Sequence, residues 1–126
     1  MMKKVFNPES APKPIGPYSI ANIYENFIFL SGQLPVNPET GEMVRNDVKK
    51  ATEQIMKNIK NILEEAGSSM EKIVKTTVFL KDIEDFSDMN EIYAKYLGEN
   101  SPARSAFQVG KLPKDADVEI ELIAII

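Results

Sequence analysis

The sequence predicts an α+β domain: a mixed or antiparallel, mostly antiparallel sheet with two helices packed on one face. Three observations carry this. Strand-like and helical stretches follow in the order β-ββ-α-β-α-ββ. Only two stretches place apolar residues at three- and four-residue spacing. The closing run alternates, with Val118, Ile120, Leu122, Ala124 and Ile126 on one face and Glu119, Glu121, Ile123 and Ile125 on the other. Two helices cover one face of such a sheet and leave the second bare, and bare apolar faces mark interfaces. A homo-oligomer formed through that face is therefore expected.

The elements follow in order. Residues 3–6 are a short strand. Residues 8–17 hold four of the eight prolines and end in Gly16-Pro17, which reads as irregular chain crossing a surface. Residues 18–23 and 27–33 flank a turn at Tyr24-Glu25-Asn26 and read as a hairpin. In its second strand Phe27 and Phe29 point one way and Ile28 and Leu30 the other, and Ser31-Gly32 marks a bulge or close backbone approach. Residues 35–45 are a loop. The first helix, 47–66, carries Val48, Ala51, Ile55, Ile59, Ile62 and Ala66 on one stripe, with Asn46 or Asp47 as cap and Gly67 as stop. Residues 72–81 are a strand. The second helix, 85–97, has Phe86, Met89, Tyr93, Tyr96 and Leu97 on its stripe, Asp85 as cap and Gly98 as stop. Residues 105–109 and 118–126 are the last strands. All 126 residues read as one domain, long enough to bury about two-thirds of its unfolded surface.

Composition narrows the chemistry. There is no cysteine and no histidine. Thiolate chemistry is excluded, and so are the commonest general base and metal ligand. A phosphate-binding glycine loop, a dinucleotide fingerprint and metal-ligand spacing are all missing, so a site here is expected to need no cofactor and no metal. The net charge of −4, with no basic stripe, gives no footprint for nucleic acid. The N-terminus carries no apolar run of signal-peptide length and no stretch approaches a membrane span, so the expected location is the cytoplasm.

Three charges stand in stretches that otherwise read as core: Arg104, Glu119 and Glu121. Arg104, placed just before a strand, is either a surface arginine, an ion-pair partner of Glu119 or Glu121, or a bidentate clamp for a carboxylate. The two glutamates leave the same face of one strand. They are interface or edge-strand charges, or one of them holds a water and exchanges its proton. Tyr18 and the Ser31-Gly32 step offer a hydroxyl and backbone N–H groups to such a site, or are a core aromatic and a plain bulge. Asn90 lies at the polar edge of the second helix. Tyr93 and Tyr96 read as core.

The chain resembles the RidA (YjgF-type reactive intermediate deaminase) family nearly end to end. The residues that carry this are Gly16-Pro17-Tyr18-Ser19, Leu30-Ser31-Gly32-Gln33-Leu34-Pro35, Lys75-Thr76-Thr77-Val78-Phe79-Leu80, and Asn90 with Tyr93. Pro102-Ala103-Arg104-Ser105, Gly110, Leu112-Pro113-Lys114 and Val118-Glu119-Ile120-Glu121 complete the pattern. The resemblance implies a chorismate mutase-like fold and a homotrimer with one site at each subunit interface. It implies cofactor-free hydrolysis of imines and enamines such as 2-iminobutanoate and 2-iminopropanoate to 2-oxo acids and ammonia. By the same resemblance Arg104 binds the substrate carboxylate and Glu119 positions the water. The Ala106 carbonyl helps hold that water, and Tyr18, Ser31, Gly32 and Asn90 line the pocket. Ala106 stands where many members have cysteine, and Ser101, in a short Leu97–Pro102 segment, stands where an aromatic is common. Two other functions fit parts of the pattern: a non-catalytic carboxylate-binding or regulatory module, and an RNA-directed activity that the charge argues against.

Overall fold

A computed structural model describes residues 2–126. Six strands, β1 (Lys4–Phe6), β2 (Ala21–Tyr24), β3 (Phe27–Gln33), β4 (Ile73–Leu80), β5 (Ala103–Gln108) and β6 (Val118–Ile125), form one sheet in the order β1-β2-β3-β6-β4-β5. All neighbours pair antiparallel except β4 and β5, which are parallel. The two helices, α1 (Val48–Glu65) and α2 (Phe86–Leu97), each join strands that run in the same direction: β3 to β4, and β4 to β5. Both crossovers step the same way across the sheet. Crossovers are almost always right-handed, so both helices land on the same face. The fold is the expected α+β arrangement.

The alternation of β6 holds throughout. Val118, Ile120, Leu122 and Ala124 are buried under the helices beside Ile28 and Leu30 of β3 and Val78 and Leu80 of β4. From the helices come Ala51, Ile55, Ile59 and Ile62 of α1, as its stripe predicts, and Met89 and Tyr93 of α2. Met56 and Leu63 are also fully buried, so the apolar face of α1 is wider than the predicted stripe. On the opposite face Phe27, Phe29 and Phe107 remain exposed, and Ile123 and Ile125 are half-buried. Phe27 pairs with Ile125 and Phe29 with Ile123 across β3–β6. Phe79 and Phe107 meet edge to face at 5.4 Å across β4–β5. Among the described residues no helix is long and apolar enough to cross a membrane.

Several boundaries differ from expectation. The strand predicted at 18–23 begins only at Ala21, leaving Tyr18, Ser19 and Ile20 outside the ladder. On the β1 side the Asn7 Oδ1 accepts the Ile20 N–H at 2.7 Å in place of a backbone carbonyl, and the β1–β2 ladder ends at Phe6 and Ala21. The strand predicted at 105–109 starts at Ala103, so Arg104 lies inside β5 rather than before it. Pro102 lacks an N–H, and the ladder starts directly after it. Asp47 caps α1 as predicted, its Oδ1 accepting from Lys50 N at 3.0 Å. At the other end Gly67, with φ +85°, donates to Glu64 O while Ser68 N donates to Leu63 O, the paired closure that favours glycine. Asp85, predicted to cap α2, makes no side-chain cap bond. The capping bond comes from Asp82 instead, in the short turn before the helix, where its Oδ1 accepts from Glu84 N at 3.0 Å.

Asp85 and Asp47 make a contrasting pair. Burial, then the charges of Asp82, Asp117, Asp88 and Glu84, hold the Asp85 carboxyl above its ordinary value, so its ionised form opposes folding. Asp47→Ala is expected to lower stability by about 1 kcal/mol. Asp85→Asn is expected to leave stability unchanged or raised at pH 7. Urea denaturation of both variants reads the difference.

Candidate functional site

Glu119 sits near the start of β6, between the end of β3 and the end of β4. Its pairing partner on β4 is Phe79. On the β3 side the register jumps: Leu30 pairs with Leu122 and Gln33 with Ile120, three residues against two. Ser31 and Gly32 therefore form the bulge that the sequence marked. The bulge is tied down on its outer side, where Ser31 N donates to Ile20 O at 2.9 Å and Ser31 Oγ donates to Ser19 O at 2.6 Å. On its inner side the bare Cα of Gly32 lies against the Glu119 carboxylate. A Cβ at this position would overlap that carboxylate. The missing side chain leaves the Glu119 carboxylate room to lie against the backbone, and a larger residue would push the acid aside.

A cavity of about 560 Å³ opens over this group. Tyr18, Ser31, Gly32, Glu119 and Glu121 line it, with Ile15 and Lys13 of the proline-rich segment and Lys114 of the Pro113 turn. The 8–17 connector is thus a wall of the cavity and not only a link. Burial pushes the Glu119 carboxyl above its ordinary 4.5, and the Glu121 charge adds to the shift. An acid held this way exchanges protons closer to neutral pH.

Arg104 is elsewhere. It lies on β5, paired with Thr76 of β4, and its side chain faces the helices. Phe86, Asn90 and Tyr93 recur at i, i+4 and i+7 on α2 and form a cradle around it. Arg104 Nη1 donates to Asn90 Oδ1 at 2.6 Å. The guanidinium carbon stands 4.7 Å from the Tyr93 ring centre and 5.3 Å from that of Phe86, within cation–π range. Neither ion pair among the described residues includes Arg104. The pairing with Glu119 or Glu121 left open by the sequence does not form. Ala106, two residues on, shares the Arg104 face.

The seven predicted site residues thus fall into two groups. Tyr18, Ser31, Gly32 and Glu119 gather at the cavity on the open face. Arg104, Asn90 and Ala106 gather under α2, two strands away and on the other face. Ser101 closes on its own helix end, donating to Leu97 O at 2.7 Å. Phe86 was legible only as core stripe, and Tyr93 as core stripe and as a motif residue beside Asn90, although the spacing of both from Asn90 was in the sequence. Lys13, Ile15 and Lys114 carried no signal that tied them to Glu119.

A family model described as Endoribonuclease L-PSP matches residues 8–126. A RutC family protein of Pyrococcus abyssi is 56% identical over 124 residues, covering 98% of each chain. The human 2-iminobutanoate/2-iminopropanoate deaminase is 43% identical over 125 residues, covering 99% of this chain and 91% of its own. The crystal structure of the Escherichia coli YjgF gene product superposes with a TM-score of 0.90 at 46% identity, covering 97% of this chain and 98% of that one.

The chain belongs to the RidA/YjgF family. The RidA resemblance read from the motifs is therefore shown, and the motif residues map onto both groups. The Leu30–Pro35 motif is the bulge and its exit, and the Val118–Glu121 motif supplies the acid beside it. The Pro102–Ser105 motif and Asn90 make the arginine cradle of this RidA chain.

Replacing Glu119 by glutamine tests its environment. Because its folded carboxyl binds a proton more readily than the unfolded one, its ionisation lowers stability as pH rises from 4.5 through the folded value. The melting temperature of Glu119→Gln relative to wild type is expected to climb across that rise and to level off above it. A difference that does not vary with pH would contradict the assignment.

Proposed function

We propose that the chain is a hydrolytic deaminase of small 2-imino acids and their enamines, of the 2-iminobutanoate/2-iminopropanoate type, with each complete site shared between two copies. One copy supplies Glu119 with Gly32, Ser31 and Tyr18, and the next supplies Arg104 with Asn90 and the Ala106 carbonyl. The observation that carries this reading is the pairing of complementary halves: a guanidinium held ready without a carboxylate partner, and a carboxyl biased toward holding a proton. The human relative's activity supports the same chemistry.

The steps follow from these groups. The Arg104 fork takes the substrate carboxylate through two parallel N–H donors. This fixes the imine carbon over Glu119. The Glu119 carboxylate takes a proton from water as its oxygen bonds to the imine carbon, giving a carbinolamine. The proton passes to nitrogen. The C–N bond then breaks as the hydroxyl returns its proton to the Glu119 carboxylate, releasing ammonia and the 2-oxo acid. An imine carbon is already electrophilic, so positioning and proton transfer are sufficient.

The assembly is a homotrimer whose subunits meet through the Phe27, Phe29, Ile123 and Ile125 face. Unlike halves can meet in a two-fold dimer or in a closed head-to-tail ring, and the family resemblance favours the ring of three. Light scattering at micromolar concentration is expected to give three times the 14.1 kDa of one chain. Phe29→Glu is expected to lower that mass, and a wild-type monomer would contradict the assembly.

The activity test generates 2-iminobutanoate in situ and follows 2-oxobutanoate against semicarbazide trapping. Wild-type protein is expected to accelerate release. Arg104→Ala is expected to lower kcat/KM roughly a hundredfold, the worth of a charged hydrogen-bonded contact. Glu119→Ala is expected to lower kcat by about 10² to 10⁴ while 2-oxobutanoate still binds. A protein that binds 2-oxobutanoate but never accelerates release would be the carboxylate-binding module instead.

A further inference from the structure

Beneath the arginine cradle lies a polar pair that no step above uses. Thr76 Oγ1 and Tyr93 Oη share a hydrogen bond of 2.7 Å in the interior. Thr76 is fully buried at 0% exposure and Tyr93 nearly so at 5%. Thr76 is the β4 residue directly paired with Arg104 on β5, so strand, arginine and ring meet at one level of the sheet.

We propose that Thr76 and Tyr93 are positioning residues for carboxylate capture: their hydrogen bond locks the Tyr93 ring as the floor on which the Arg104 guanidinium is held. The proposal rests on Arg104 being the carboxylate anchor. Valine has nearly the shape of threonine and equal strand preference, so packing alone does not require a hydroxyl at this buried position. The hydroxyl instead gives the buried phenol a partner. A ring tethered at its tip cannot tilt away from the face it presents. With Tyr93 fixed below and Asn90 Oδ1 fixed at one Nη, the guanidinium plane has a single orientation. Only one of its five N–H donors is used by Asn90, which leaves the fork free for a ligand. Arginine is long and loses rotamer freedom on binding, so ordering it beforehand favours capture.

The test compares Thr76→Val, Thr76→Ser and Tyr93→Phe in the full-length protein. Calorimetric titration with 2-oxobutanoate is expected to show roughly fivefold weaker binding for Thr76→Val, the worth of one neutral hydrogen bond. Thr76→Ser is expected to restore most of it. Tyr93→Phe is expected to match Thr76→Val, and the double variant to be no worse than either single. In turnover the loss is expected in KM, with kcat near wild type. Unchanged binding in folded Thr76→Val, or equal losses in kcat and KM, would overturn the proposal. Should Thr76→Val fail to fold, Tyr93→Phe, which removes only one oxygen, decides it alone. Should the wild type neither bind nor turn over, the deaminase reading fails. The Arg104 Nε–Hε NMR signal then decides this one: sharp in wild type and broadened in Tyr93→Phe supports it, and an unchanged signal overturns it.

Discussion

Arg104 and Glu119 do not meet within one chain, and most of what is distinctive about the molecule depends on that. The sheet order places β5 and β6 on either side of β4. The two-residue period of each strand then turns the arginine toward the helices and the glutamate away from them. No side-chain rotation carries either group through a packed sheet. Under the proposed function a site that uses both is closed by another copy, and the open sheet face offers that copy apolar surface to cover.

Each half is prepared in a different way. On the open face a single extra residue in β3 creates a bulge, and the missing Cβ of Gly32 lets the Glu119 carboxylate settle against the backbone. Burial there biases the acid toward its protonated form. On the helix side two rings and one amide hold the guanidinium without neutralising it. The acid keeps its proton within reach and the arginine keeps its charge. A salt bridge between them would have favoured the ionised acid and occupied the guanidinium fork.

Much of this was legible in the sequence because it rests on short-range rules. The β6 alternation, the two amphipathic stripes, the hairpin and the Ser31-Gly32 bulge follow from periodicity and from glycine's lack of a side chain. The homologous motifs marked Arg104, Asn90 and Glu119. A site at a subunit interface came only from the resemblance, and which residues fall on which face was not legible, because that depends on which strand lies between which, and no local pattern encodes that β6 inserts between β3 and β4. The start of β5 was missed for the same reason, since Ala103 joins the sheet through parallel pairing with Lys75. Asp85 looked like a cap, but a 3₁₀ turn ahead of α2 moves the capping bond back to Asp82. Tyr93 fitted the core stripe, and only the folded chain reveals that its ring also carries a charge.

Subunit complementation bears most directly on the shared site. Arg104→Ala and Glu119→Ala, each inactive alone, are co-expressed and purified as mixed assemblies. Sites formed from the intact arginine of one variant and the intact glutamate of the other should restore about a third of the wild-type activity, because every mixed ring of three holds one such site. Mixed assemblies as inactive as either parent would contradict a site built between copies.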